Sequence, residues 1–261
     1  MGQSHVPQRF EALRQYIVAH SNLPGPRGNL ELAAAWADVV GAWPKEAEEW
    51  LWELLTEMAS LPASQVTVND PHVLLAFCGV LGIGVLAAAS DMRSDEALAT
   101  LRGFARDSRW RMREAVAMAL QPMLVERSER TLSELQRWVS DGDWLEMRAA
   151  AAALAEPTVL QRERVAMAAL HLHESILSAV LSATDRRVES FRILRKGLGY
   201  TLSVVVSRVP DEGFQLLARL VPAGDADILW IVRQNLKKKR LAGRFHERVE
   251  ALQALLLKHD E

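Results

Sequence analysis

The chain has 261 residues, of which 49% are hydrophobic and 25% charged. That composition excludes a disordered or fibrous protein and fits a soluble globular one. The formal net charge of −2 hides a gradient: residues 1–100 carry 5 Lys+Arg against 12 Asp+Glu, whereas residues 181–261 carry 15 against 10. An anionic partner would therefore meet the C-terminal part.

In chain order, nearly every segment reads as a helix. The stretch from Met1 to Pro7 lacks a basic run followed by an apolar core, so no signal peptide is expected, and Val6 breaks the myristoylation pattern. The first helix is expected from Pro7 to His20, ending before the loop Asn22-Leu-Pro-Gly-Pro-Arg-Gly28. Asn29 is the expected N-cap of a helix over Leu30–Val40, and Pro44 sits well in the first turn of the next, with Glu46, Glu48 and Glu49 at its positive dipole end. Trp36, Trp43, Trp50 and Trp52 are expected to pack these first helices; an exposed aromatic patch there would be a partner site. Gln65-Val-Thr-Val68 is the nearest thing to a strand and is too short to build a sheet.

Asp70-Pro71 starts a segment, Val73 to Ala89, that is uncharged throughout and holds Gly79, Gly82 and Gly84. It lies at the lower edge of a membrane span, but without basic or aromatic anchors it reads as a buried central helix. Its glycines lack a preceding strand, so they read as points of close helix approach, not as a dinucleotide loop. The single Cys78 excludes an intramolecular disulfide and fits a reducing compartment; the expected location is cytoplasmic.

From here a pattern recurs, an Asp, then Trp or Val three residues on, then Arg. It runs Asp107…Trp110…Arg113, Asp141…Trp144…Arg148, Asp185…Val188…Arg192 and Asp227…Trp230…Arg233. The Asp positions stand 34, 44 and 42 residues apart, the period of stacked helix pairs. Helix starts are expected at Asp107 or Ser108, with Pro122 bending or ending that helix, and near Ser128, Asp143, Pro157, Asp185, Pro210 and Asp227. A last helix runs from about Gly243 to Lys258. Phe214, Leu217, Leu220 and Val221 share one helical face, as do Val249, Leu252, Leu255 and Leu256. The fold expected is all-α: one domain over residues 1–261, less regular over 1–70 and clearer over 70–261, its antiparallel helix pairs stacked as a curved superhelix.

This pattern resembles HEAT-like repeats, and the resemblance makes Asp107, Asp141, Asp185 and Asp227 a structural ladder with the Arg that follows each. Two other features bear on function. Arg233, Lys237 and Arg240 follow i, i+4, i+7 spacing and would form one basic stripe, either a phosphate-contact surface or a solvated helix face. His171-Leu-His173-Glu174 places its histidines on different sides of a helix, so no metal site is read, and no cofactor is expected.

Trp110 with Glu114, Trp144 with Arg148, and Lys196-Gly-Leu-Gly199-Tyr200 also resemble the signatures of AlkD-type DNA alkylpurine glycosylases, with Glu for Asp and Tyr for the last Trp. The resemblance covers about residues 100–240. It implies a HEAT-like fold cradling duplex DNA, with Glu114 as the catalytic carboxylate and Arg148 on phosphate. Trp110 and Tyr200 would pack the deoxyribose or the lesion. Candidate contacts to a partner are thus Trp110, Arg113, Arg148, Arg192, Lys196, Tyr200, Arg233, Lys237 and Arg240. The function expected first is a non-enzymatic scaffold holding a macromolecular partner, protein or duplex DNA, on a concave face. The alternative is an AlkD-like DNA-binding protein, with or without base-excision activity.

Overall fold

The computed structural model describes residues 10–141 and 143–260. The expected start of the first helix at Pro7 and the N-terminal stretch before it lie outside them. Among the described residues there are fourteen α-helices and no strand. They cluster into two compact units, one ending at Arg127 and the other beginning at Ser128, each taken here by itself.

The first unit contains α1 (Glu11–Ala19), α2 (Leu30–Gly41), α3 (Glu48–Ala59), α4 (His72–Ala89), α5 (Ser94–Ala105) and α6 (Trp110–Glu126). Asn29 caps α2 as its side chain accepts from Leu32 N at 2.9 Å. The uncharged helix α4 is long and apolar enough to cross a bilayer by length and composition, and 83% of it is buried inside the unit, packed by α2, α3 and α6. Its glycines make that packing: a Cβ on Gly79 would stand 2.7 Å from Leu55 O of α3, and one on Gly84 would stand 2.6 Å from Ala119 Cα of α6. Trp36 seals the third side, donating its indole N–H to Cys78 O at 3.1 Å. Pro122 does not end its helix, which runs on to Glu126 with Met123 and Leu124 buried; apolar burial outweighs the one donor that proline removes. Residues 65–68 form turns rather than a strand.

The second unit contains α7 (Ser128–Ser140), α8 (Trp144–Leu154), α9 (Glu163–Leu181), α10 (Glu189–Arg208) and α11 (Pro210–Leu220). It is completed by α12 (Ala226–Leu236), α13 (Lys239–Ala242) and α14 (His246–Asp260). Long α10 is its centre, packed against α8, α9, α11 and α12. Asp143 caps α8, accepting from Leu145 N at 2.8 Å and Glu146 N at 3.2 Å. Two expected starts shift: a short 3-10 turn over Val159–Gln161 delays α9 to Glu163, and α10 begins at Glu189.

The acids expected to form the ladder engage several partners. At Asp107 the carboxylate is taken by Arg109, bidentate at 3.0 and 2.7 Å, while Arg113 donates to the backbone carbonyls of Asp107 and Ser108. Asp143 and Asp225, not Asp141 and Asp227, are the caps. Asp185 accepts only the N–H of Arg187, at 2.9 Å, and Arg192 points to solvent. Asp227 pairs with Arg186 at 3.0 Å and with Arg195 at 2.5 Å. Asp227 thus ties α12 to Arg186 and Arg195, which precede it by 41 and 32 residues in the chain.

Candidate functional site

The site is built on α10. With 3.6 residues per turn, Arg192, Lys196 and Tyr200 at i, i+4 and i+8 fall on one face, about 6 Å of rise apart. All three are exposed, Tyr200 at 46%. Among the described residues neither Arg192 nor Lys196 has an ion-pair partner. That sets them apart from Arg186 and Arg195. Arg186 is held by Asp225 at 2.6 Å and by Asp227, and Arg195 lies between Asp227 and the Trp230 ring, 3.9 Å from its centroid. The hydrogen bond that Arg186 donates to Asp225 raises its pKa above the ordinary value. Burial works to raise the Asp225 carboxyl, but the Ile228 N–H and Arg186 outweigh it and hold the group below the usual carboxylate range.

The row ends under two cations from the α12–α13 junction. Arg240 donates to the Tyr200 hydroxyl at 2.8 Å and lies 4.7 Å from the ring centroid; Lys238 Nζ lies 5.6 Å from it. Small residues let the framework close behind the row. Arg148 passes Gly197, where a Cβ would stand 3.6 Å from its Cγ, and Trp230 lies against Gly199, where a Cβ would stand 2.9 Å from the ring. Asn235 locks α12 to α10: its Oδ1 accepts from Ser203 N at 2.7 Å, and its Nδ2 donates to Leu198 O and Ile231 O, both at 2.8 Å.

The expected single stripe Arg233–Lys237–Arg240 is not formed. The helix α12 ends at Leu236, Lys238 is extended, and the short α13 restarts at Lys239. Arg233 is half-buried on α12, Lys237 is exposed at its end, and Arg240 has turned onto Tyr200. The break brings Lys238 to the site, a residue that spacing alone did not single out. The residues joined by the glycosylase resemblance divide between units: Trp110 and Glu114 lie in the first, and Trp144, Arg148, Lys196 and Tyr200 in the second. Arg113 is 8% exposed and spends its guanidinium on its own helix start. His173 is buried, donating from Nδ1 to Ala169 O at 2.9 Å and accepting at Nε2 from the Thr201 hydroxyl at 3.1 Å. Burial pushes it down to about 4. Among the described residues no group of three His, Cys, Asp or Glu could hold a metal ion.

A family model described as HEAT repeats matches residues 66–155. No curated protein matches the chain. Two solved structures resemble it: an engineered protein, 13% identical, covering 92% of this chain and 97% of that one with a TM-score of 0.34; and the designed armadillo repeat protein YIII(Dq)4CqI, 16% identical, covering 95% and 99% with a TM-score of 0.35. Likenesses this faint carry no weight on shape. The succession of packed helices makes the described residues all-α, and the match over residues 66–155 marks a HEAT-like repeat fold. Neither speaks for alkylpurine glycosylase chemistry.

Proposed function

We propose that this protein is a non-catalytic HEAT-like scaffold, and that its second unit holds an acidic surface of a macromolecular partner along α10. One observation carries the reading: Arg192 and Lys196 are exposed and unneutralised beside the cation-flanked Tyr200. Elsewhere in the unit, arginines such as Arg186, Arg208 and Arg219 are engaged with carboxylates or carbonyls that fix the fold. The α10 row has no such structural use. Two like charges one turn apart repel, and an incoming anion relieves that repulsion. Arg and Tyr are also the residue types that anchor protein interfaces, because they combine area with hydrogen bonding.

Duplex DNA is the second reading, favoured by the excess of basic residues over 181–261. The two separate in a titration of labelled protein with polyglutamate and with a short DNA duplex over a salt series. The charge-reversed double variant Arg192→Glu, Lys196→Glu should lose about tenfold or more in affinity for the polyanion that binds. If DNA is that polyanion, removing two phosphate contacts should flatten the salt slope by about 1.8. Unchanged affinity in the double variant would refute both readings.

A further inference from the structure

The cations of the α10 face are spread unevenly along it. Arg192 stands alone at one end, whereas Lys196, Lys238 and Arg240 gather at the other, about Tyr200. Lys196 precedes Tyr200 by about one helical turn on the same face. Arg240 gives one N–H to the Tyr200 hydroxyl at 2.8 Å, and Lys238 Nζ lies 5.6 Å from the ring centroid. Lys238 and Arg240 are half-buried. Among the described residues none of Lys196, Lys238 and Arg240 has a carboxylate partner. Half-buried Arg186 and Arg195, by contrast, both face Asp227.

Cations partly withdrawn from water and set close together gain most from the anion of highest charge. A side-chain carboxylate brings a single negative charge and a pair of oxygens. A phosphate monoester brings about −1.5 to −2 and a third acceptor oxygen. That suffices for one guanidinium fork and the ammonium groups beside it. Clusters of basic side chains are a general means of reading phosphorylated segments. Arg192 lies about 12 Å from Tyr200 along the helix, the span of about four residues of extended chain. Standing alone, it is matched by a single carboxylate.

Resting on α10 as the partner-binding face, we propose that its Tyr200 end is a phosphate-binding site and that the partner presents a phosphorylated acidic peptide segment. The phosphate lies between Arg240, Lys238 and Lys196. The Tyr200 hydroxyl, which accepts from Arg240, donates its own proton to a phosphate oxygen. An acidic side chain about four residues along the segment meets Arg192.

Fluorescence anisotropy of labelled peptides titrated with the full chain tests this. One peptide carries phosphoserine with a glutamate about four residues to either side. Its controls have, in place of the phosphoserine, either serine or a pair of glutamates that matches the phosphate charge. The phosphoserine peptide should bind about tenfold or more tighter than either control. Arg240→Gln and Lys238→Gln should each keep the wild-type circular dichroism and lose most of that preference. Arg192→Gln should weaken all of the peptides and leave the preference unchanged. Equal binding of the phosphoserine and glutamate-pair peptides would overturn the phosphate site while leaving α10 as an acidic-partner face. A preference unchanged in both Arg240→Gln and Lys238→Gln would do the same. A short DNA duplex that binds more tightly than the phosphopeptide, and loses that advantage in Arg240→Gln, would overturn the peptide in favour of nucleic acid. No binding of the phosphoserine peptide would also overturn the proposal. Failure of the α10 reading itself is seen separately, in the polyglutamate and duplex titrations of the Arg192→Glu, Lys196→Glu variant.

Discussion

Asn235 is the residue whose loss the second unit should feel most. It is fully buried, and its amide group closes three hydrogen bonds, two of them to α10. Replacing it with Leu conserves approximate volume but leaves the Ser203 N–H and the Leu198 carbonyl without this partner inside the protein. An unsatisfied buried N–H costs about 1–3 kcal/mol, and a carbonyl with a second lone pair engaged costs less. The expected loss is therefore about 2–4 kcal/mol in the free energy of unfolding, read from urea titrations followed by circular dichroism. Asn235→Asp sharpens the test. The carboxylate still accepts from Ser203 N, but its second oxygen faces the Leu198 and Ile231 carbonyls where an N–H₂ stood. Burial and those carbonyls would raise the pKa of this Asp above its unfolded value of about 3.9. A raised folded pKa favours the folded state at low pH and is lost as pH rises, so the variant should be worst at neutral pH. Its deficit against wild type should then shrink toward acid pH as the carboxyl protonates and donates. An Asn235→Leu protein within about 0.5 kcal/mol of wild type would show that this bridge does not hold α10 to α12.

Four other outcomes rest on single sites. His173 is held neutral at about 4 by burial, against an unfolded value of about 6.5, so the unfolded chain binds the extra proton first. Stability should fall as pH drops through that window, by about 3 kcal/mol, and His173→Gln should abolish the slope. Gly84→Ala should destabilise by about 1–3 kcal/mol, because its Cβ would stand 2.5 Å from Ala119 C in the backbone of α6. Gly103→Ala, exposed on α5 with nothing within 4 Å of its Cβ, should stabilise by about 0.5–1 kcal/mol in the same urea titrations. Arg186→Ala should cost about 1 kcal/mol, the pair being partly solvated. It should also raise the Asp225 pKa, measurable by carbon-detected NMR titration, since the wild-type group is held down in part by Arg186.

The helical character of the chain was legible because burial on one face leaves a 3.6-residue trace. Phe214, Leu217 and Leu220 on α11 and Val249, Leu252 and Leu256 on α14 are buried as their spacing requires. Leu255 is the exception, 37% exposed at the edge of its stripe. Caps with a side-chain acceptor and a clear following helix, Asn29 and Asp143, were legible for the same local reason. Where two acids stand two residues apart, as at Asp225 and Asp227, either can cap, and the choice falls to the one whose backbone is extended. The break after Leu236 left no signal, because the lysine run 237–239 contains neither Gly nor Pro. Arg192, Lys196 and Tyr200 could be placed on one face from spacing. Their meeting with Lys238 and Arg240, the turn of Arg186 toward Asp225, and the reach of Asn235 to Ser203 depend on how distant helices pack, and no local pattern encodes that.

The most direct measurement of the central claim is mass-spectrometric labelling of lysines with an acetylating reagent, with and without the polyanion that binds in the salt titration. Protection confined to Lys196 and Lys238, with Lys45 and Lys258 labelled equally in both samples, is the result expected if α10 and the α12–α13 junction form the partner-binding face. Lys196 and Lys238 labelled equally with and without the bound polyanion would contradict it.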